Sequence, residues 1–130
     1  MEIIGPKDYP AFEQFVSTHR QGGFMQSLRW ANVKVGWGFE AILSRDGDGH
    51  IKGAMLVLIK RVPLLGRSLL YAPRGPVCDP YDRETLEDLI AGVDQLAKKH
   101  KAYMFRMDPY VLACDQEFIQ LATDMGFAFT

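Results

Sequence analysis

RSLLYAPRGPVCDPYDRETLEDLIAGVDQLAKKHKAYMFRMDP, residues 67–109, is the stretch that decides the fold. Its first five residues read as a strand, and Pro73 ends it. Asp82 then stands where a helix N-cap belongs. Behind it Leu86, Leu89, Ile90, Val93, Leu96 and Ala97 recur at the i, i+3, i+4, i+7 spacing of a helix with one buried face. Lys98, Lys99, His100 and Lys101 close that helix, where cations complement the carbonyl end of the dipole. Residues 102–107 read as a second strand, stopped by Asp108-Pro109. Strand, helix and strand in succession make a crossover unit, which pairs its two strands in parallel.

Working upstream, residues 50–62 form another strand. Its centre, residues 54–59, is apolar at every position, as suits a strand covered on both faces. Asp46-Gly47-Asp48-Gly49 is a hairpin turn joining it to a strand over residues 39–44, and Pro63 and Gly66 turn it into the strand that begins at Arg67. Nearer the start, residues 2–4 read as a short strand. Pro10 suits the first turn of a helix carrying Phe12, Phe15 and Val16, and Gly22-Gly23 breaks it. A second helix covers residues 27–35, with Ser27 as N-cap and Leu28, Ala31 and Val35 on one face, until Gly36 and Gly38 stop it. Downstream, residues 115–125 form a last helix with Gly126 at its C-terminal end, and residues 127–130 begin a further strand. The expectation is one α/β (α+β) domain over residues 1–130. It has a mixed, mostly antiparallel sheet with helices on both faces, cut short at the last strand.

Fifteen basic side chains against sixteen acidic leave a net charge of −1, so no overall field draws the chain to nucleic acid or an anionic membrane. A local basic patch stays open. Cys78 and Cys114 are too few and too far apart for a metal cluster or a disulfide framework. His19, His50 and His100 show no ligand or triad spacing. The N-terminus lacks the pattern of a signal peptide, and no apolar run is long enough to span a bilayer. A cytoplasmic chain is expected, with no metal.

The element order resembles the GNAT type of acyltransferase fold. In that fold a glycine-rich loop cradles the pyrophosphate of acetyl-CoA. The equivalent stretch here, residues 71–80, contains Pro73, Pro76 and Pro80, which have no N–H to give. It also lacks the [Q/R]-x-x-G-x-[G/A] pattern, so a stand-alone N-acetyltransferase is the least favoured reading.

Four pieces carry a narrower resemblance: Gln26-Ser27-Leu28-Arg29-Trp30-Ala31-Asn32-Val33-Lys34 with Gly36-Trp37; Leu69-Leu70-Tyr71-Ala72-Pro73-Arg74-Gly75-Pro76; Tyr103-Met104-Phe105-Arg106-Met107-Asp108-Pro109; and Met125-Gly126-Phe127. In this order they resemble the Fem family of peptidoglycan-bridge aminoacyltransferases. The resemblance implies transfer of an amino acid from aminoacyl-tRNA to an amine of the peptidoglycan stem peptide, on lipid II or UDP-MurNAc-pentapeptide, without metal or CoA. Fem enzymes have two GNAT-like subdomains, and the resemblance covers the first. The expected role is that of the precursor-binding half, inactive alone, with tRNA engaged through the missing half. The alternative is a non-catalytic module that holds precursor or forms a homodimer through the unfinished sheet edge.

The resemblance also nominates residues. Lys34 matches a lysine that contacts the precursor's diphosphate, a reasonable task for a compact ammonium at a helix end. Trp37, between two glycines, packs on a sugar or base of the precursor, or else into the core. Arg74, between two prolines, pairs with a phosphate or carboxylate of the substrate, or else with Asp79 or Asp108. Asp108 acts on the acceptor amine as base or orienter, or else caps a turn or pairs with Arg106. Tyr103 lines the cleft or packs. Trp30 is expected to pack inward.

Overall fold

A computed structural model describes residues 1–129. Five strands form one sheet in the order β1-β2-β3-β4-β5: β1 Glu2–Ile4, β2 Gly38–Arg45, β3 Ile51–Val62, β4 Arg67–Pro73 and β5 Ala102–Asp108. The first three pairings are antiparallel, and β4 and β5 are parallel, joined by α3 Arg83–His100. Helices α1 Tyr9–Thr18 and α2 Leu28–Val33 cover one face. Helices α3 and α4 Gln116–Asp124 cover the other. The mixed, mostly antiparallel sheet with helices on both faces is therefore as the sequence implied.

The apolar centre of β3 shows why. Side chains alternate along a strand, so Ala54, Leu56 and Leu58 point to α1 and α2, while Met55, Val57 and Ile59 point to α3. Ile42 and Leu43 of β2 divide in the same way. Each face of the strand then needs its own helical cover. On the α3 side Gly92 lets the helix come close: a Cβ there would lie 2.9 Å from Cγ2 of Ile42.

The caps follow the sequence. Asp82 accepts from the Thr85 N–H, Asp115 from the Phe118 N–H, and Ser27 from the Arg29 N–H. Glu13 of α1 reinforces the last of these, accepting from Ser27 Oγ at 3.0 Å and from the Leu28 N–H at 2.5 Å. The two helices on that face are thus tied end to side. Gly126 has φ +96°, the left-handed geometry of a residue just past a helix end.

Two expectations are corrected. Residues 127–129 join no strand, and Thr130 lies outside the described residues. The Phe127 N–H instead turns back to the Ala122 carbonyl, closing α4, and its ring packs edge-on to Phe105 at 6.3 Å. The second helix stops at Val33, where Lys34 takes an extended ψ of 95°. Helical periodicity therefore ends before Val35, which is 93% exposed rather than buried. The basic run at the end of α3 does more than complement the dipole, because Lys99 and His100 both reach Glu40 of β2, at 2.7 and 2.9 Å.

One buried polar side chain joins these layers. Gln26, in the short 3-10 turn before α2, is fully buried. Its Nε2 donates to the carbonyls of Leu56 and Pro73, and its Oε1 accepts from the Leu56 N–H at 2.7 Å. Gly75 packs against it so closely that a Cβ would fall 2.7 Å from the amide. Replacing Gln26 by Leu keeps the volume but leaves buried backbone groups without partners. Urea denaturation is expected to show a loss of about 2–4 kcal/mol; an unchanged midpoint would mean that water or rearrangement replaces the glutamine.

Candidate functional site

The parallel pair sets the geometry. Pro73 lies opposite Asp108, so β4 and β5 end side by side. The two carboxylate oxygens of Asp108 turn back across this exit. Oδ2 accepts from the Tyr71 hydroxyl at 3.1 Å and Oδ1 from the Arg74 N–H at 2.5 Å. Arg74 stands at φ +56°, a left-handed conformation that a non-glycine residue adopts at a cost. The bond from Asp108 holds it there. The Gly75–Pro76 peptide that follows is cis.

From Tyr71 the site continues towards α2. The Tyr71 and Trp37 rings are 6.5 Å apart. Trp37 is half-buried and lies close to two ammonium groups, with Lys34 Nζ at 5.4 Å and Lys60 Nζ at 5.8 Å from its ring centre. Lys34 also lies 5.0 Å over Trp30, and Lys60 donates to the Gly36 carbonyl at 3.4 Å. On the other side the Arg74 guanidinium rests 5.0 Å over Tyr110. The result is one continuous row of contacts: Trp30, Lys34, Trp37 with Lys60 beside it, Tyr71, Asp108, Arg74, Tyr110.

Four nominated residues, Lys34, Trp37, Arg74 and Asp108, therefore meet in one row. Tyr103 does not join it. It stands at the opposite end of β5, beside the register shift at Ser68/Leu69, about 16 Å from Asp108 along the strand, and is 52% exposed. Among the described residues Arg74 makes no ion pair with Asp79 or Asp108, and Asp108 makes none with Arg106. Trp30 packs only partly inward: its ring meets Phe24 at 5.7 Å, and its indole N–H is buried without an acceptor. Three members were not singled out from the sequence. Tyr71 was visible inside its motif, two residues before the exit proline. Lys60 and Tyr110 gave no signal, because only the hairpin register and the loop path bring them in.

The electrostatics favour an anion near Lys34 and Lys60 and a cationic group near Asp108. Burial raises the Tyr71 hydroxyl above the ordinary tyrosine value, and the Asp108 charge beside it adds to the effect. Burial pushes the Cys78 thiol up to about 12, with Asp82 and Asp79 contributing, so it holds no thiolate near neutrality. The backbone after β4 has little left to offer a diphosphate. The Arg74, Gly75 and Val77 N–H groups bond to Asp108, Ala72 and Ala54, and Pro76 has none. Asp46, Asp48 and His50 bring ligating atoms within 4.8 Å of one another at an exposed hairpin. There Asp46 already accepts the Asp48 and His50 N–H groups, which is ordinary turn geometry.

The Tyr71–Asp108 contact has a measurable consequence. A raised tyrosine pKa leaves its contribution to stability complete below the unfolded value, about 10, and that contribution is lost as pH rises through the folded value. In Asp108→Asn the phenolate absorbance titration of Tyr71 is expected to move down towards the ordinary value without reaching it, since burial remains. An unmoved titration would show that the carboxylate does not act on this hydroxyl.

Comparison with known proteins identifies the family of the chain and the relatives that share its fold. The FemAB family profile matches residues 9–124. The lipid II:glycine glycyltransferase of Staphylococcus haemolyticus (strain JCSC1435) is 37% identical over 101 residues, 76% of this chain and 24% of that protein. The enzyme of the same name from Staphylococcus aureus (strain NCTC 8325 / PS 47) is 35% identical over the same shares. A crystal structure of FemX superposes with a TM-score of 0.87 at 31% identity, covering 97% of this chain and 32% of that one. The ribosomal-protein-alanine N-acetyltransferase of Brucella melitensis biovar Abortus 2308 shares the fold alone, at a TM-score of 0.63 and 12% identity, covering 98% of this chain and 91% of its own. The chain spans about a quarter of the length of the glycyltransferases it matches. With the family profile spanning both helices and strands that build the row, this chain belongs to the FemAB family.

Proposed function

We propose that this chain is the precursor-binding half of a tRNA-dependent aminoacyltransferase that adds an amino acid to the peptidoglycan stem peptide in interpeptide bridge formation, on the cytoplasmic side of the membrane. The observation that carries the reading is the site itself: two ammonium groups lie 5.4 and 5.8 Å from one indole ring centre, and a carboxylate fixed by two donors stands further along. An ammonium pair around Trp37 suits the diphosphate and sugar of UDP-MurNAc-pentapeptide or lipid II. Asp108 suits the amine at the far end of the stem peptide.

The reaction needs little more from this half. The stem-peptide nitrogen attacks the ester carbonyl of the aminoacyl-tRNA. A C–N amide bond forms, the C–O bond to the tRNA ribose breaks, the ribose oxygen takes a proton, and the amine loses one. The Tyr71 hydroxyl and Arg74 N–H hold the Asp108 carboxylate in one orientation. In that orientation it positions the acceptor ammonium, and it takes the amine's proton if it serves as the base. Neither cysteine belongs to the row, and the Cys78 thiol is buried and protonated, so direct transfer is favoured over an acyl-enzyme. The tRNA and the aminoacyl group are engaged by residues beyond this chain. The outer edge of β5, unpaired among the described residues, supports pairing with a second copy as a further role.

Calorimetric titration with UDP-MurNAc-pentapeptide tests the reading. Lys34→Ala is expected to weaken binding roughly tenfold, the effect of losing one charge-assisted contact. Absence of binding by the folded chain, or equal binding by the variant, contradicts it.

A further inference from the structure

We infer that the β3–β4 hairpin tip is a docking element for an anionic lipid bilayer surface. Beyond Ile59, which faces Gly38 at the start of β2, β3 has no β2 partner, and the hairpin runs on past that strand. At its tip Leu64 and Leu65 are 104% and 68% exposed. They stand free of both cores. Leu64 also sits at φ +69°, where a bulky side chain is strained and asparagine or glycine would be at ease. Nothing inside the fold explains a leucine there.

The charge around the tip supplies the second, independent observation. Lys60, Arg61 and Arg67 are exposed on its two strands. The Ser68 N–H bonds to the Lys101 carbonyl, and Ser68 Oγ to that of His100, so the end of α3 lies beside the base of the hairpin with Lys98, Lys99 and Lys101 exposed. No Asp or Glu occurs between Asp48 and Asp79, or between Asp94 and Asp108. Glu40, the acid at this end, already serves Lys99 and His100. A chain of net charge −1 is thus polarised, with exposed cations on both strands of the hairpin and at the end of α3 beside its base, and two leucines projecting at its tip. Apolar side chains that enter the acyl boundary while surrounding cations meet anionic headgroups are the recurring pattern of interfacial attachment.

The inference does not depend on the precursor reading, though the two fit together. Lys60 belongs both to the exposed cations of the hairpin and to the Trp37 site, so docking sets that site near the headgroup plane.

Vesicle co-sedimentation tests it, with phosphatidylglycerol-rich and pure phosphatidylcholine vesicles. The chain is expected to sediment with the anionic vesicles, and less so as salt rises. L64N/L65S is expected to bind roughly tenfold more weakly. Its thermal midpoint should not fall, because asparagine relieves the left-handed strain at position 64. R61Q/R67Q should bind more weakly and with a shallower salt dependence. The UDP-MurNAc-pentapeptide titration of L64N/L65S is expected to match that of the parent. No sedimentation of the folded chain with anionic vesicles overturns the inference, as does equal sedimentation by L64N/L65S. So does a dimer, seen by light scattering, that L64N/L65S abolishes, because the tip would then serve a second copy. Failure of the precursor titration alone overturns the proposed function and leaves the lipid result standing.

Discussion

The buried amide of Gln26 is the constraint on which the site depends. It bonds simultaneously to the centre of β3 and to the last residue of β4, and it belongs to the turn that launches α2. The helix bearing Trp30, with Lys34 just past its end, is therefore indexed to the strand exit where Asp108 and Arg74 meet. A hydrophobic residue would fill the space but carry no register. Hydrogen bonds are directional, and a buried amide that must satisfy both its donor and its acceptor fixes one arrangement. Asp108 repeats the device on a smaller scale by fixing Tyr71 and Arg74 at once.

Burial patterns made the fold legible before the structure. The uninterrupted apolar run of residues 54–59 implied cover on both faces, and alternation along β3 divides it between two helical layers. Asp82, Ser27 and Gly126 marked helix ends because caps are local chemistry. The failures also have local causes. Val35 fitted the helical stripe, but Lys34 leaves the helix and the stripe has no meaning past it. Residues 127–129 have strand-like composition, yet the described sheet ends at β5 and the segment returns to α4.

The site was legible only through motifs. Lys34, Trp37, Arg74 and Asp108 lie in pieces that resemble a family, and no periodicity would have joined them. Lys60 and Tyr110 belong to the same row through pairing register and a loop path, which a linear reading does not contain. The polarised charge was hidden for a related reason. Composition gives a net charge, whereas folding gathers Lys60, Arg61, Arg67 and the end of α3 at one end of the sheet.

The account rests on the claim that the precursor's diphosphate and sugar settle between Lys34, Lys60 and Trp37. The chain holds two tryptophans, Trp30 and Trp37, and both lie within reach of the Lys34 ammonium. Tryptophan emission followed during addition of UDP-MurNAc-pentapeptide is the direct test, with Trp37→Phe as the companion. The account predicts a saturable change in emission that is largely lost in the variant. Emission that stays constant while calorimetry records binding would place the precursor elsewhere and contradict it.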